Sequence, residues 1–256
     1  MNILKRSFRC FRQHLFRLAG EIIGHNQMTL PSRLVVVAPH PDDEVLGCAG
    51  LVAQAIAKQG QVHIILLTGG GAAHKDCCEN RLENILLDKR RSLALAAGAG
   101  LGLSTGSFTF LDWPDGDLHR GILDDEGKAS QLLKVIHSFS PDAILCPHPF
   151  EGWADHVAAE ELIRKMVAGM VNKPTLYHYC VWFWHSMSFK KALSCDWKNA
   201  IALNISNVWD LKQVAINEYM SPCAPCGKPW SGVLPRELLK AFQWQKELFF
   251  KVDNKN

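Results

Sequence analysis

Residues 35–47, VVVAPHPDDEVLG, constrain the fold of this chain more than any other stretch. Val35-Val36-Val37-Ala38 lacks polar alternation, the pattern of a parallel strand covered by helices on both faces. Pro39 and Pro41 stop that strand and hold the backbone extended around His40. From Glu44 onward, Val45, Leu46, Ala49, Val52, Ala53 and Ile56 recur at helical spacing. His40, Asp42 and Asp43 therefore fall on a strand-to-helix turn, where open α/β sheets bind ligands. An Asp before a helix is a common N-cap favoured by the helix dipole. Capping, however, needs one carboxylate and no histidine. Two adjacent carboxylates repel unless a cation or a shared proton offsets the charge, so a metal or proton-transfer site accounts for all three residues.

The rest of the chain alternates in the same way. The pattern predicts strands at 61–67, 108–111, 143–146 and 176–184, and helices over about 44–59, 80–97, 129–139, 155–170, 208–219 and 236–250. Strands alternating with helices imply a Rossmann-like α/β fold, a mostly parallel sheet with helices on both faces and right-handed crossovers. In the common doubly-wound order the first and fourth strands are neighbours at the switch point. The loop at His40–Asp43 and the loop at His148–His156 should then face each other across one crevice. A nucleotide-binding Rossmann site is excluded, because its glycine-rich turn would have to follow the first strand; here the triple glycine, Gly69 to Gly71, follows the second.

At 256 residues, with 48% hydrophobic and 21% charged residues, the chain suits one large soluble domain over 31–256 after a separate segment at 1–30. That segment carries Lys5, Arg6, Arg9, Arg12 and Arg17 against Glu21, a sum of +4, so the remaining residues sum to −1 and the main domain offers no nucleic-acid surface. Leu4, Phe8, Phe11, Leu15, Leu18 and Ile22 follow steps of three and four, one apolar helical stripe flanked by basic residues. No run is long enough for a signal-peptide core or a membrane span. The segment is either a helix packed on the domain or a basic amphipathic helix at an anionic membrane surface through residues 1–24. The nine cysteines, odd in number, fit a reduced cytoplasmic protein, either free or peripheral at the inner face of a membrane. Cys223-x-x-Cys226 has no second Cys-x-x-Cys to complete a zinc ribbon, and Cys77-Cys78 cannot supply it by spacing. Nothing in the sequence sets an oligomeric state.

A catalytic zinc needs three His or carboxylate ligands and one open position. His40 and Asp43 can supply two from one turn, and His156, opening the helix after strand four, is the best-placed third. Asp42 is left beside the metal as a general base.

At these residues the chain resembles the LmbE-like, or PIG-L-like, zinc-dependent N-deacetylases. APHPDDEVLG and PHPFEGWADHVAAE carry the resemblance, which extends over roughly 33–222, with YHYCVWFWH and LKQVAINEYMSP similar to the carboxy-terminal part of some members. It implies hydrolysis of an N-acetyl group from an N-acetylglucosamine-type amino sugar or its conjugate, releasing acetate. It also implies His40, Asp43 and His156 as ligands of Zn2+ (another divalent metal such as Fe2+ being the alternative), Asp42 as base, and Asp155 as a residue orienting a histidine. Arg90 and Asp115 match positions that hold sugar hydroxyls, and Trp113 and Trp153 are the loop tryptophans suited to stacking on a sugar ring. Three departures stand out. The family's His-Pro-Asp-His reads Trp153-Ala154-Asp155-His156, so the usual histidine donor to the oxyanion is replaced, with His185 or His148 as substitutes. Thr-Asp-Gly reads Thr68-Gly69-Gly70. Leu93 stands where a Glu follows the arginine. The alternative function is a metal-binding, catalytically impaired relative acting as a binding protein in glycan assembly.

Overall fold

The computed structural model describes residues 3–24, 27–74, 83–122 and 125–253. Cys77 and Cys78, and the beginning of the helix expected from residue 80, lie outside them. The described helices and strands run α1 Ile3–Ile22, β1 Arg33–Ala38, α2 Asp43–Ala57, β2 Gln61–Thr68, α3 Glu83–Gly100, β3 Phe108–Trp113, α4 Glu126–Phe139, β4 Ala143–Pro147, α5 Ala154–Gly169, β5 Thr175–Tyr179, α6 Phe183–Ser186, α7 Phe189–Leu193, β6 Ala200–Asn204, α8 Trp209–Met220, α9 Arg236–Ala241 and β7 Lys246–Lys251.

The sheet order is β3-β2-β1-β4-β5-β7-β6. The first five strands are mutually parallel, while β7 runs antiparallel to β5 and to β6. β1 sits between β2 and β4, which places the switch point at the predicted pair of strands. Period-two alternation divides the core. Leu34, Val36 and Ala38 face one apolar layer with α2 and α3, and Val35 and Val37 face the other with α4 and α5. α2 is buried along nearly its whole length. Its close approach to the sheet requires Gly47, where a Cβ would lie 2.5 Å from the Tyr179 ring.

Two predicted elements are corrected. The strand expected over 176–184 ends at Tyr179, and Trp182 begins a turn into the short α6. The helix expected over 236–250 stops at Ala241, and its apolar end, Leu248-Phe249-Phe250, forms the buried strand β7. β7 shares the sheet with β6, a five-residue strand too short to be distinguished by pattern.

α1 is docked on the domain, but by the face opposite its apolar stripe. Arg12, Gln13 and Phe16 are buried. The Arg12 guanidinium donates to His185 O at 2.7 Å, the Gln13 amide to Glu237 O at 2.9 Å, and Arg17 to Ala241 O at 2.9 Å. The stripe faces outward, leaving Phe8, Phe11, Leu18 and Ile22 exposed. No helix among the described residues is long and apolar enough to cross a membrane.

Candidate active site

The turn after β1 and the start of α5 meet above the carboxyl ends of β1 and β4. Asp43 Oδ2 is the hub: it accepts from the His40 backbone N–H at 3.0 Å and lies 3.3 Å from both His40 Nδ1 and His156 Nε2. The three side chains form a group with metal-ligand chemistry. Each histidine presents its second nitrogen to another carboxylate. His40 Nε2 is 3.0 Å from Asp115 Oδ1 and 3.5 Å from Asp155 Oδ2, and His156 Nδ1 is 3.4 Å from Glu151 Oε2. A carboxylate on the far nitrogen is how metal-ligating imidazoles are oriented.

Fit to a metal can be judged from His156. It is fully buried, its Nδ1 faces Glu151, and its Nε2 lacks an aligned hydrogen-bond partner among the described residues. Orphaned buried nitrogens are costly unless something coordinates them. Two imidazoles and a carboxylate suit a zinc-like divalent cation, so the residues fit. His40, Asp115 and Asp155 form a second possible group, but its carboxylates are already engaged. Asp155 accepts from Gly116 N at 2.7 Å and Leu118 N at 3.1 Å, and Asp115 from Ala72 N at 2.6 Å. They act as holders of His40.

Electrostatics agree with this arrangement. Burial disfavours the Asp43 carboxylate, yet His156 and His40 pull its pKa well below the usual range. Burial likewise opposes charge on the histidines, but the surrounding carboxylates raise His40, and they raise His156 to about 9.

Asp42 differs from its neighbour. It occupies the N-cap position of α2 at φ 117°, a left-handed conformation costly for a non-glycine residue, and its side chain makes no capping bond. Its carboxylate instead opens on the cleft, 3.4 Å from Arg90 Nη2. Burial, opposed by Arg90 and reinforced by the Asp43 and Glu44 charges, pushes it up to about 8. Arg90 is itself clamped to Gly70 O at 2.9 Å and to Pro41 O. Glu44, also buried, accepts from the Asp42 N–H at 3.0 Å and the Tyr219 hydroxyl at 2.5 Å, which fixes the strained turn.

The cleft has a volume of about 470 Å³ and is lined by His40, Asp42, Asp43, Arg90, Asp115, Trp153, Trp182 and the segment Ser231–Pro235, among others. Trp153 stands half exposed on its rim, its ring 4.8 Å from that of Trp182. The other expectations resolve differently. Trp113 is buried in the core, and His185 does not line the cleft: it lies beside α1, where its carbonyl binds Arg12. His148 is caged by Phe150, Phe183, Phe250 and His178. Neither histidine replaces the donor missing at position 153. Glu151 and Glu44 are site residues that sequence reasoning missed, and Trp182, placed by the sequence within the strand expected over 176–184, lines the cleft instead. Glu151 had a faint signal, a carboxylate in the loop after β4, five residues before His156.

A His/Asp/His group with a spare carboxylate, at the switch point of an open α/β sheet, is the arrangement of a metal-assisted hydrolytic enzyme. Residues 35–167 match the family described as PIG-L, GlcNAc-PI de-N-acetylase, and the chain belongs to that family. It is 27% identical over 203 residues to a 4-oxalmesaconate hydratase of Pseudomonas putida, covering 75% of this chain and 74% of that protein. It is 26% identical over 172 residues to a 1D-myo-inositol 2-acetamido-2-deoxy-alpha-D-glucopyranoside deacetylase of Actinosynnema mirum, covering 59% of this chain and 60% of the relative. The solved N,N'-diacetylchitobiose deacetylase of Pyrococcus horikoshii shares the fold, with a TM-score of 0.60, 18% identity, and 95% and 84% of the two chains covered.

Proposed function

We propose that this member of the family removes an N-acetyl group from an N-acetylglucosamine-type amino sugar or its conjugate, releasing acetate, with His40, Asp43 and His156 holding zinc. The observation that carries the reading is the uncapped Asp42 carboxylate beside the two-histidine, one-carboxylate group. A bound divalent cation would polarise the amide carbonyl and acidify a water molecule. Burial raises the Asp42 pKa to about 8, so its ionised form is a stronger proton acceptor than an ordinary carboxylate. Having taken a proton from water, Asp42 can return it to the departing amine. Arg90 holds Asp42 in place, Asp155 and Asp115 hold His40, and Glu151 holds His156. Trp153 and Trp182 offer an aromatic wall to a sugar ring.

Water addition, the activity named for the Pseudomonas relative, is the competing chemistry. The experiment is acetate release from a panel of N-acetylated amino sugars and conjugates, with metal content measured on the same sample. Fully metal-loaded protein that releases no acetate from any of them would overturn the reading in favour of the hydratase or of a binding protein.

The outward stripe of α1 supports peripheral contact with an anionic membrane at the cytoplasmic face. Phe8, Phe11, Leu18 and Ile22 are exposed, and the Phe8 ring meets Phe189, which precedes Lys190 and Lys191. Cosedimentation with phosphatidylglycerol vesicles, abolished in Phe8→Ser/Phe11→Ser, is the expected result. Equal binding of that variant would refute it.

A further inference from the structure

Two segments that line the cleft run directly into short helices. Trp182 stands at the N-cap position of α6 and Pro235 at the N-cap position of α9, and Val233, Leu234 and Pro235 line the same cavity as Trp182. α6 has four residues and α9 six. Helices this short gain little from their own hydrogen bonds, because the last four carbonyls of a helix have no partner within it. Their placement has to be fixed from outside.

The inward face of α1 fixes it. Gln13 Nε2 donates to Glu237 O of α9 at 2.9 Å and reaches Trp184 O of α6 at 3.4 Å, so one buried amide spans both helices. Arg12 Nη2 donates to His185 O at 2.7 Å and Trp184 O at 3.4 Å, and Arg17 Nη2 to Ala241 O at 2.9 Å and Lys240 O at 3.1 Å. These carbonyls lie in the last turns of α6 and α9, where the helix dipole favours a cation. Phe16 completes the contact, its ring edge-on to Phe183 at 5.9 Å. Docking for stability alone would bury the apolar stripe of α1. Burying Arg12 and Gln13 instead sets where α6 and α9 stand, since hydrogen bonds are directional and apolar contact is not.

We propose that α1 sets the separation of the two lining segments, with Arg12 and Gln13 as positioning residues. They act through α6 on Trp182 and through α9 on residues 233–235, and neither lines the cavity itself. On the deacetylase reading, on which this point rests, the part of the substrate they govern is the sugar ring and its conjugate rather than the amide at the metal group. Their loss therefore weakens ground-state and transition-state binding alike, which raises KM and leaves kcat in place.

The test is made on the full chain, with the amino sugar that releases acetate fastest in the panel. Gln13→Ala should raise KM roughly 3–10-fold, the equivalent of one hydrogen bond, with kcat within about twofold of wild type. Arg12→Lys keeps a donor toward His185 O and should stay nearer wild type than Arg12→Ala. Because Arg12→Ala can fail to fold, Gln13→Asn, one methylene shorter, is a further variant with the same expected direction. His14→Ala, on the exposed face of the same helix, should leave both constants unchanged. A helix that only stabilises the fold would lower the active fraction, and a fall in kcat at constant KM overturns the proposal. Hydrogen exchange supplies a reading independent of the reaction. Amides of 182–187 and 236–242 should exchange about 3–10-fold faster in Gln13→Ala, with those of β1, β2 and β4 unchanged. Unchanged exchange in the two segments, or equal acceleration throughout the chain, overturns the brace. Local acceleration in a protein that releases no acetate supports the brace and counts against the deacetylase reading alone.

Discussion

Glu151→Gln separates a carboxylate that merely ties down backbone from one that holds a metal ligand. Glu151 is fully buried, accepts from Val181 N at 2.8 Å and from Trp182 N, and faces His156 Nδ1 at 3.4 Å. The amide keeps the volume and one acceptor oxygen but turns a donor group toward either a backbone N–H or the imidazole. Losing a charge-assisted hydrogen bond at a buried site costs about 1.5–3 kcal/mol of folding stability. The effect on His156 is distinct. A carboxylate opposite Nδ1 keeps a proton there and would leave Nε2 to bind a cation, whereas a neutral amide removes that preference. Metal affinity should therefore fall roughly 10–100-fold, the usual effect of removing such a partner. That is about 1.4–2.7 kcal/mol. Denaturant melts in excess chelator give the first quantity. Competition of the folded protein against a fluorescent zinc chelator gives the second. A variant with a lowered unfolding midpoint but a metal Kd within about twofold of wild type would show that Glu151 only clamps the chain after β5 and has no hold on His156.

Asp42→Ala should retain the cleft metal but lose roughly 10²–10⁴-fold in turnover, the range for general-base removal; steady-state kinetics on metal-quantified samples would show it, and an unimpaired variant would end the base assignment. Gly70→Ala would place a Cβ 2.1 Å from Arg90 Nη1 at φ 70°. We expect it to lose about 1–3 kcal/mol of stability and to displace the arginine from Asp42; unchanged melting together with an unchanged rate would refute the clamp. Burial, and then the charge of His178, holds His148 well below the ordinary imidazole range. The unfolded chain therefore takes up a proton near pH 6.5 that the folded chain refuses. The native state is favoured fully above that pH and loses at most about 1.4 kcal/mol per unit as pH falls through it. Denaturant melts across this range should show a shallower slope in His148→Phe, and identical slopes would refute the caged-neutral reading.

Legibility of the site followed the range of the interactions. The turn bearing His40, Asp42 and Asp43 was readable because an uninterrupted apolar strand, two prolines and a helical period are local signals. His156 was reachable because switch-point topology converts two distant loops into neighbours. Glu151 and Glu44 were not readable. Each carboxylate acts through backbone N–H groups, a tyrosine or a ring from another segment, and those pairings have no periodicity. Trp182 was misread for a related reason: Glu151 binds the Val181 and Trp182 N–H groups, ends the strand early and turns the indole toward the cleft. The orientation of α1 was not readable, because an apolar stripe does not say which face docks. Here Arg12, Gln13 and Arg17 dock by satisfying carbonyls around α6 and α9.

Position 153 bears most directly on whether the chain is an active enzyme. The resemblance implies a histidine donor to the developing oxyanion at this position, where this chain has tryptophan. Removal of a single such donor costs about 2.7–4 kcal/mol, or 10²–10³ in rate. That is a fraction of the 8–23 kcal/mol by which enzymes typically lower a barrier, roughly speaking. The metal group and Asp42 remain, so a slow deacetylase is expected rather than a dead one. Trp153→His is the corresponding gain-of-function test. Trp153 opens α5 in extended backbone, half exposed on the cleft rim, so histidine fits there at little cost in folding. Loss of the Trp153–Trp182 pair should raise KM if the indoles stack on the sugar, while the restored donor should raise kcat by up to about 10². An increase in both parameters supports both roles. A raised KM with unchanged kcat would show that the tryptophan binds substrate and that the oxyanion is held by another group, for which Arg90, the one cationic side chain among the described lining residues besides His40, is the next to replace.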